Sequence, residues 1–342
     1  MAYTTIDDPT IYFETVTYTG NGGTQTITTG IDADWIWIKN RTSAEGSGMF
    51  DTVRGATKML CSQNDDGEST TTNSLTAFGT DGFSVGANNR VNQNSNNIVS
   101  WNWLAGGSAS TNENGSITSS VSANQDVGFS IVSYTGNATD DATVGHGLSS
   151  APQMVITKSR GDAGAWQVLT NIYPSYSEGD YIALNTTGAK ANSANVSFVP
   201  TSTTWQMKSG QAGNTSSTKI AYCFHSVQGY SKFGNYTGNG NVNGTFVYTG
   251  FKPAWVIVKK TSATNNWVMM DNKRDPFNMM TKYLLANDNT AEGTGLNFDF
   301  LSNGFKLKSA SGGTNTSGAT YIYMAFAENP LVTSTGVPAT AR

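Results

Sequence analysis

Three short stretches place large apolar side chains at every second position: Val99, Trp101 and Trp103; Ile220, Tyr222 and Phe224; Ile322, Met324 and Phe326. A strand turns successive side chains to opposite faces, so this period predicts three strands that each cover a core with one face. A second pattern is apolar on both faces: Trp35-Ile36-Trp37-Ile38-Lys39, Met154-Val155-Ile156-Thr157-Lys158 and Trp255-Val256-Ile257-Val258-Lys259. It predicts central strands covered from both sides. Asn-Gly, Asp-Gly and Gly-Gly pairs punctuate the chain about every 8–12 residues, the turn spacing of a small antiparallel sandwich. No stretch predicts a helix of three turns. Residues 275–287, with Pro276 and two methionines, are the best candidate for one short helical turn.

The order of these elements recurs. Tyr-Thr-Gly-Asn stands at 18–21, 134–137 and 236–239, spaced 116 and 102 residues apart, and a doubly apolar strand follows each copy. Short apolar runs with polar ends come next, at 49–52, 166–170 and 267–271. Asp81-Gly82-Phe83 and Asn303-Gly304-Phe305 then precede the closing strands, with a weaker echo at 204–207. This recurrence predicts an all-β chain of three tandem antiparallel β-sandwich repeats, jelly-roll or lectin-like, of about 100 residues each. Their bounds fall at 1–107, 128–229 and 230–330. Residues 108–127, rich in Gly, Ser, Thr and Asn, read as a linker or an extended surface excursion, and 331–342 as a surface tail.

Composition narrows the function. Gly, Ser, Thr and Asn supply 152 of the 342 residues, while charged residues make up 13% and the net charge is −4. A broad polyanion-binding surface needs excess positive charge, so nucleic acid is not an expected partner. The 37 aromatic residues give enough apolar surface for a core. The start, MAYTTIDDPT, has neither the basic nor the apolar region of a secretion leader, and no window reaches the length of a membrane helix. Cys61 and Cys223 read as two buried free thiols.

Candidate chemistry is sparse. Only His146 and His225 are present, the first reading as a polar turn residue and the second as a surface or packing residue, with no zinc-like spacing. No Gly-x-Ser-x-Gly elbow occurs, nor a run of alternating carboxylates of the glucanase kind, so no catalytic residue is assigned. Asp32 and Asp34 read as a solvated turn. Asp65, Asp66 and Glu68 have the oxygen density that Ca²⁺ favours and are weak candidate ligands; no other cofactor is expected. Sugars are bound by aromatic faces with amides and carboxylates on their hydroxyls, so the loop aromatics Tyr173, Tyr176, Phe198 and Phe277 are candidate glycan-binding residues. Lys259, Lys260, Lys273, Arg274, Lys306 and Lys308 give 230–330 a local positive excess, read as solvated side chains.

Several phrases together resemble a known family. Tyr-Thr-Gly-Asn-Gly, Trp-Ile-Trp-Ile-Lys, Gly-Tyr-Ser-Lys-Phe-Gly at 229–234, Pro253-Ala254-Trp255, Asp271-Asn272-Lys273-Arg274, the run 324–330 and the terminal Val-Pro-Ala-Thr-Ala-Arg are similar to virion-associated proteins of marine tailed bacteriophages. The resemblance implies lectin- or glucanase-like sandwich domains in a virion part assembled in the host cytoplasm. It supplies no catalytic residues. Two roles follow as expectations: a non-enzymatic tail fibre, spike or appendage that binds host-surface polysaccharide, or a capsid or tail decoration protein that binds virion subunits. Expected partners are other virion proteins and further copies of the chain, with a homotrimer favoured; no membrane partner is expected. A polysaccharide-degrading enzyme is the weakest reading, because the paired-carboxylate motif is missing.

Overall fold

The structure is a computed structural model that describes residues 2–211 and 213–340. It is nearly all β, 44% strand and 2% helix, with antiparallel sheets. Three equivalent four-strand runs, one a whole sheet and two within eight-stranded sheets, dominate. Their strand orders are Phe13–Thr19, Asn97–Trp103, Trp35–Asn40, Gly48–Asp51; then Phe129–Thr135, Thr218–Phe224, Met154–Ser159, Gln167–Thr170; then Ser231–Thr237, Thr320–Pro330, Phe251–Lys260, Trp267–Asp271. In each, the closing strand lies between the opening strand and the doubly apolar one, and smaller outer strands cover the far face.

The two apolar faces serve two cores. Trp35 and Trp37 join Trp101, Trp103, Tyr222, Trp255 and Phe326 in a central cluster that draws on all three sheets. Ile36 and Ile38 turn the other way, onto Phe83 and Val85 of the outer strands. Val155 and Cys223 likewise meet Trp205, and Val256 and Val258 meet Phe305. In the centre Trp35 stacks on Trp103 at 4.2 Å and on Tyr222 at 4.4 Å, and Phe13 on Phe326 at 5.2 Å. The three units share this core because an inner sheet apolar on both faces has one face left over once its outer strands are covered.

The recurring Tyr-Thr-Gly-Asn has a local cause. Tyr18, Tyr134 and Tyr236 donate their hydroxyls to the carbonyls of Val91, Gly213 and Thr314 at 2.6, 2.7 and 2.7 Å. The residues that follow those carbonyls, Asn92, Asn214 and Asn315, are wholly buried and accept the N–H of Asn21, Asn137 and Asn239 at 2.9–3.1 Å. Between them the backbone passes so close that a Cβ on Gly20, Gly136 or Gly238 would stand 2.1, 2.2 or 2.4 Å from a carbonyl oxygen. Only glycine fits there.

Several expectations are corrected. Residues 108–127 are not a free linker: Ser110–Asn112 and Ser119–Asn124 extend the second sheet, held by buried Ile117 and Val121. Composition suggested flexibility, but backbone pairing with two apolar anchors decides the outcome. Residues 275–287 form no helix, because the Asp275 carboxylate accepts the N–H groups of Thr281 and Lys282 and turns the chain into the strand Met280–Leu285; among the described residues the helical turns are Pro9–Ile11 and Asn89–Asn92. The third sheet has the first-to-last pairing of a jelly roll, yet from Phe251–Lys260 to Gly304–Leu307 successive strands are neighbours, a meander in place of a second Greek key. Cys61 and Cys223 are free and buried. No described helix is long and apolar enough to cross a membrane.

Candidate functional site

The three segments meet at seams built to one plan. Lys39, Lys158 and Lys259 each donate Nζ across a seam to a backbone carbonyl, of Asp288, Asp65 and Thr187, at 2.6, 3.2 and 2.9 Å. Burial pushes each ammonium down to about 8. The N–H groups of Glu68, Lys190 and Glu292 donate to Arg160, Thr261 and Arg41 carbonyls at 2.8–2.9 Å. Half of the positive excess in the last segment is thus internal: Lys259, Lys260 and Arg274 are buried rather than solvated, because Lys259 spans a seam, Lys260 donates to Thr316 and Arg274 pairs with Asp271 and Glu292.

Two seams carry a buried ionic chain. Asp51 and Asp271 hold corresponding ladder positions, opposite Trp35 and Trp255. Each carboxylate accepts both the backbone N–H, at 2.8 Å, and the Nε of an arginine three residues on, Arg54 or Arg274. It also accepts a donor from another segment, the Tyr222 hydroxyl at 2.8 Å or the Trp101 indole N–H at 3.1 Å. Both arginines continue to a glutamate, Glu68 at 3.3 Å or Glu292 at 3.1 Å, which is clamped bidentately by Arg160 or Arg41.

A cleft opens where the third segment meets the first. Two residues beyond Asp51 and its counterpart Thr170 stand Val53 and Ile172, and the opening strands of the second and third sheets carry Ile131 and Phe233; all four pack in or against the central core. The corresponding residues at this seam are Lys273 and Thr15. The cleft measures about 390 Å³. Lys273 pairs with Glu14 at 2.8 Å, Lys252 with Glu328 at 3.2 Å, and Asn272 donates Nδ2 to Glu328 at 2.7 Å. Burial raises the Glu14 carboxyl, against the pull of Lys273. Asn272 Oδ1 and Thr15 Oγ1 are buried without a partner. Pro276 lines the cleft, and the next residue, Phe277, is 75% exposed.

The residues singled out from the sequence separate here. Phe277 is exposed and follows Pro276 of the cleft lining in the chain. Tyr173 is buried, with the Lys190 ammonium 5.3 Å from its ring centroid, and lines a smaller cavity at another seam. Phe198, 1% exposed, is core of the second segment, and Tyr176 is half-buried with its hydroxyl donated to the Phe198 carbonyl at 2.7 Å. Both are packing residues, because their loop folds back over an apolar core. Asp65, Asp66 and Glu68 do not converge on a cation: Arg54 and Arg160 occupy Glu68, and Asp66 accepts from Asn64. Among the described residues no group of three or more His, Cys, Asp or Glu could hold a metal ion.

One further reading is corrected. Asp34 is buried, accepting from Thr52 Oγ1 and the N–H groups of Ala105 and Gly107, rather than solvated. His146 is also fully buried: Nδ1 accepts the Leu148 N–H at 3.1 Å and Nε2 lies 3.2 Å from the Thr201 carbonyl. Burial lowers its imidazole to about 4. Glu14, Asn272 and Glu328 escaped sequence reasoning, and Lys273 was read only as a solvated side chain. The signal that could have found them is polarity at Lys273 and Thr15, where the other two copies of each phrase are apolar.

These features define an all-β chain with three sheets about a common aromatic core and a polar cleft at one seam. The chain belongs to a family described as a domain of unknown function, DUF7483, whose model matches residues 8–330. No curated protein and no solved structure matches it.

Proposed function

We propose that this chain is a non-enzymatic structural protein of a bacteriophage particle, a tail fibre, spike or similar appendage, and that the cleft between its third and first segments binds host-surface glycans. The observation that carries the reading is a cleft that combines carboxylates, an amide and ammonium groups, with an exposed aromatic residue, Phe277, next in the chain after Pro276 of its lining. Sugars are held by that combination, the ring covering C–H faces and the polar groups taking hydroxyls. The unpartnered Asn272 Oδ1 and Thr15 Oγ1 are acceptors that a ligand hydroxyl can satisfy. Several copies on one particle, a homotrimer being the favoured unit, convert weak single sites into avid attachment.

A second reading, a decoration protein bound to virion subunits, is favoured by a different observation. The strand Phe246–Tyr248 ends the third sheet and exposes Phe246 and Tyr248, with Val242 nearby in the chain. Edge strands with apolar side chains are sites of pairing with other chains. Immunogold labelling of purified particles tests both readings. Label on the tail or its appendages is expected; label spread over the head favours decoration, and an unlabelled particle overturns both.

A further inference from the structure

The seam between the second and third segments departs from the plan at a separate place. The positions of Asp51, Arg54, Glu68 and Arg160 in the ionic chain are taken here by Thr170, Tyr173, Lys190 and Thr261, matched by ladder register and by the recurring seam bond from the Lys190 N–H to the Thr261 carbonyl. No guanidinium fills the space, and a cavity of about 250 Å³ remains. Buried Tyr173 and Thr261 line it, with exposed Pro174, Ser175 and Ser262. The Tyr173 hydroxyl is buried and has no partner, although a buried hydroxyl ordinarily finds one. Lys190 Nζ lies 2.6 Å from Asp180 Oδ2, so the ammonium is already neutralised.

We propose that this cavity is a second saccharide site, taking one neutral hexopyranose ring; the inference rests on the glycan-binding reading above. The volume is below the range of about 300–1,000 Å³ typical of larger ligands, which limits the occupant to a single ring. Tyr173 and Pro174 offer apolar surface, and Ser175, Thr261, Ser262 and Thr320 offer hydroxyls. The neutralised lysine favours an uncharged sugar over an acidic one.

Saturation-transfer NMR of the full chain tests this, with free galactose, glucose, mannose and N-acetylglucosamine as probes. At least one hexose is expected to receive saturation from the wild type and from Phe277→Ala. Ser175→Met, which pushes a flexible chain into the cavity from its exposed rim, is expected to abolish the transfer when made in the Phe277→Ala background. In that background Tyr173→Phe is expected to weaken binding about threefold to tenfold while leaving the unliganded protein as stable or more so, since it removes an unpartnered buried hydroxyl. A purely structural tyrosine would not weaken sugar binding. Persistence of the transfer in Phe277→Ala/Ser175→Met, or no transfer from any of the four, overturns the proposal. If polysaccharide still binds in a Phe277-dependent way, the cleft reading survives that failure; if it does not, the glycan reading falls as well.

Discussion

Replacing Asp271 by leucine removes the anion at the centre of one ionic chain. Its carboxylate is wholly buried and accepts from the backbone N–H of Lys273 and Arg274, from Arg274 Nε and from Trp101 Nε1. Removing one member of a buried pair costs about 3–5 kcal/mol, because the remaining charge is left uncompensated. Arg274 keeps Glu292 at 3.1 Å, but Arg41 already shares that carboxylate, so the loss is expected at the lower end, about 3 kcal/mol. The double variant Asp271→Leu/Arg274→Met strands no arginine and is expected to recover at least about 1 kcal/mol relative to the single one. Urea unfolding followed by tryptophan fluorescence measures both, with an unchanged m-value as the check that the unfolding transition is the same. A single variant within about 1 kcal/mol of wild type, or a double variant whose loss equals the sum of the two singles, would refute the reasoning.

Other outcomes follow from the same geometry. Gly136→Ala puts a Cβ 2.2 Å from the Thr215 carbonyl oxygen and is expected to lower stability by about 1–3 kcal/mol or more in the same assay. The His146 imidazole sits at about 4 when folded against an ordinary value near 6.5. The unfolded chain therefore binds more protons between those values, so the histidine's contribution is complete above pH 6.5 and is lost as pH falls towards 4, by up to about 3 kcal/mol. His146→Asn is expected to flatten that part of the stability profile, and an unchanged slope would count against it. Phe277→Ala, at an exposed position, is expected to leave the melting temperature within the range of a shift of about 0.5 kcal/mol.

Much of the fold was legible because it is written in side-chain period. The split of Trp35 and Trp37 from Ile36 and Ile38 between two cores is what a doubly apolar strand requires. The phrases also lie at corresponding positions in three sheets of one strand order. Sharing of the central core was not legible, since a face that covers a core looks the same whichever sheet it meets. Pairing in 108–127 was hidden because backbone hydrogen bonds leave little trace in a Ser- and Asn-rich stretch. For the candidate site, composition pointed to loop aromatics, of which Phe277 is exposed and next in the chain to Pro276 of the cleft lining. Phe198 misled because a loop residue can be core when the loop folds inward. Lys273 and Thr15 become informative only when each phrase is compared position by position.

A printed array of bacterial surface glycans, probed with the wild-type chain and Phe277→Ala, tests the proposed glycan binding at the cleft between the third and first segments. The wild type is expected to bind a defined subset and the variant to bind it about tenfold more weakly, a change of about 1.4 kcal/mol, at unchanged stability. Binding to no glycan, or equal binding by both proteins, would contradict it.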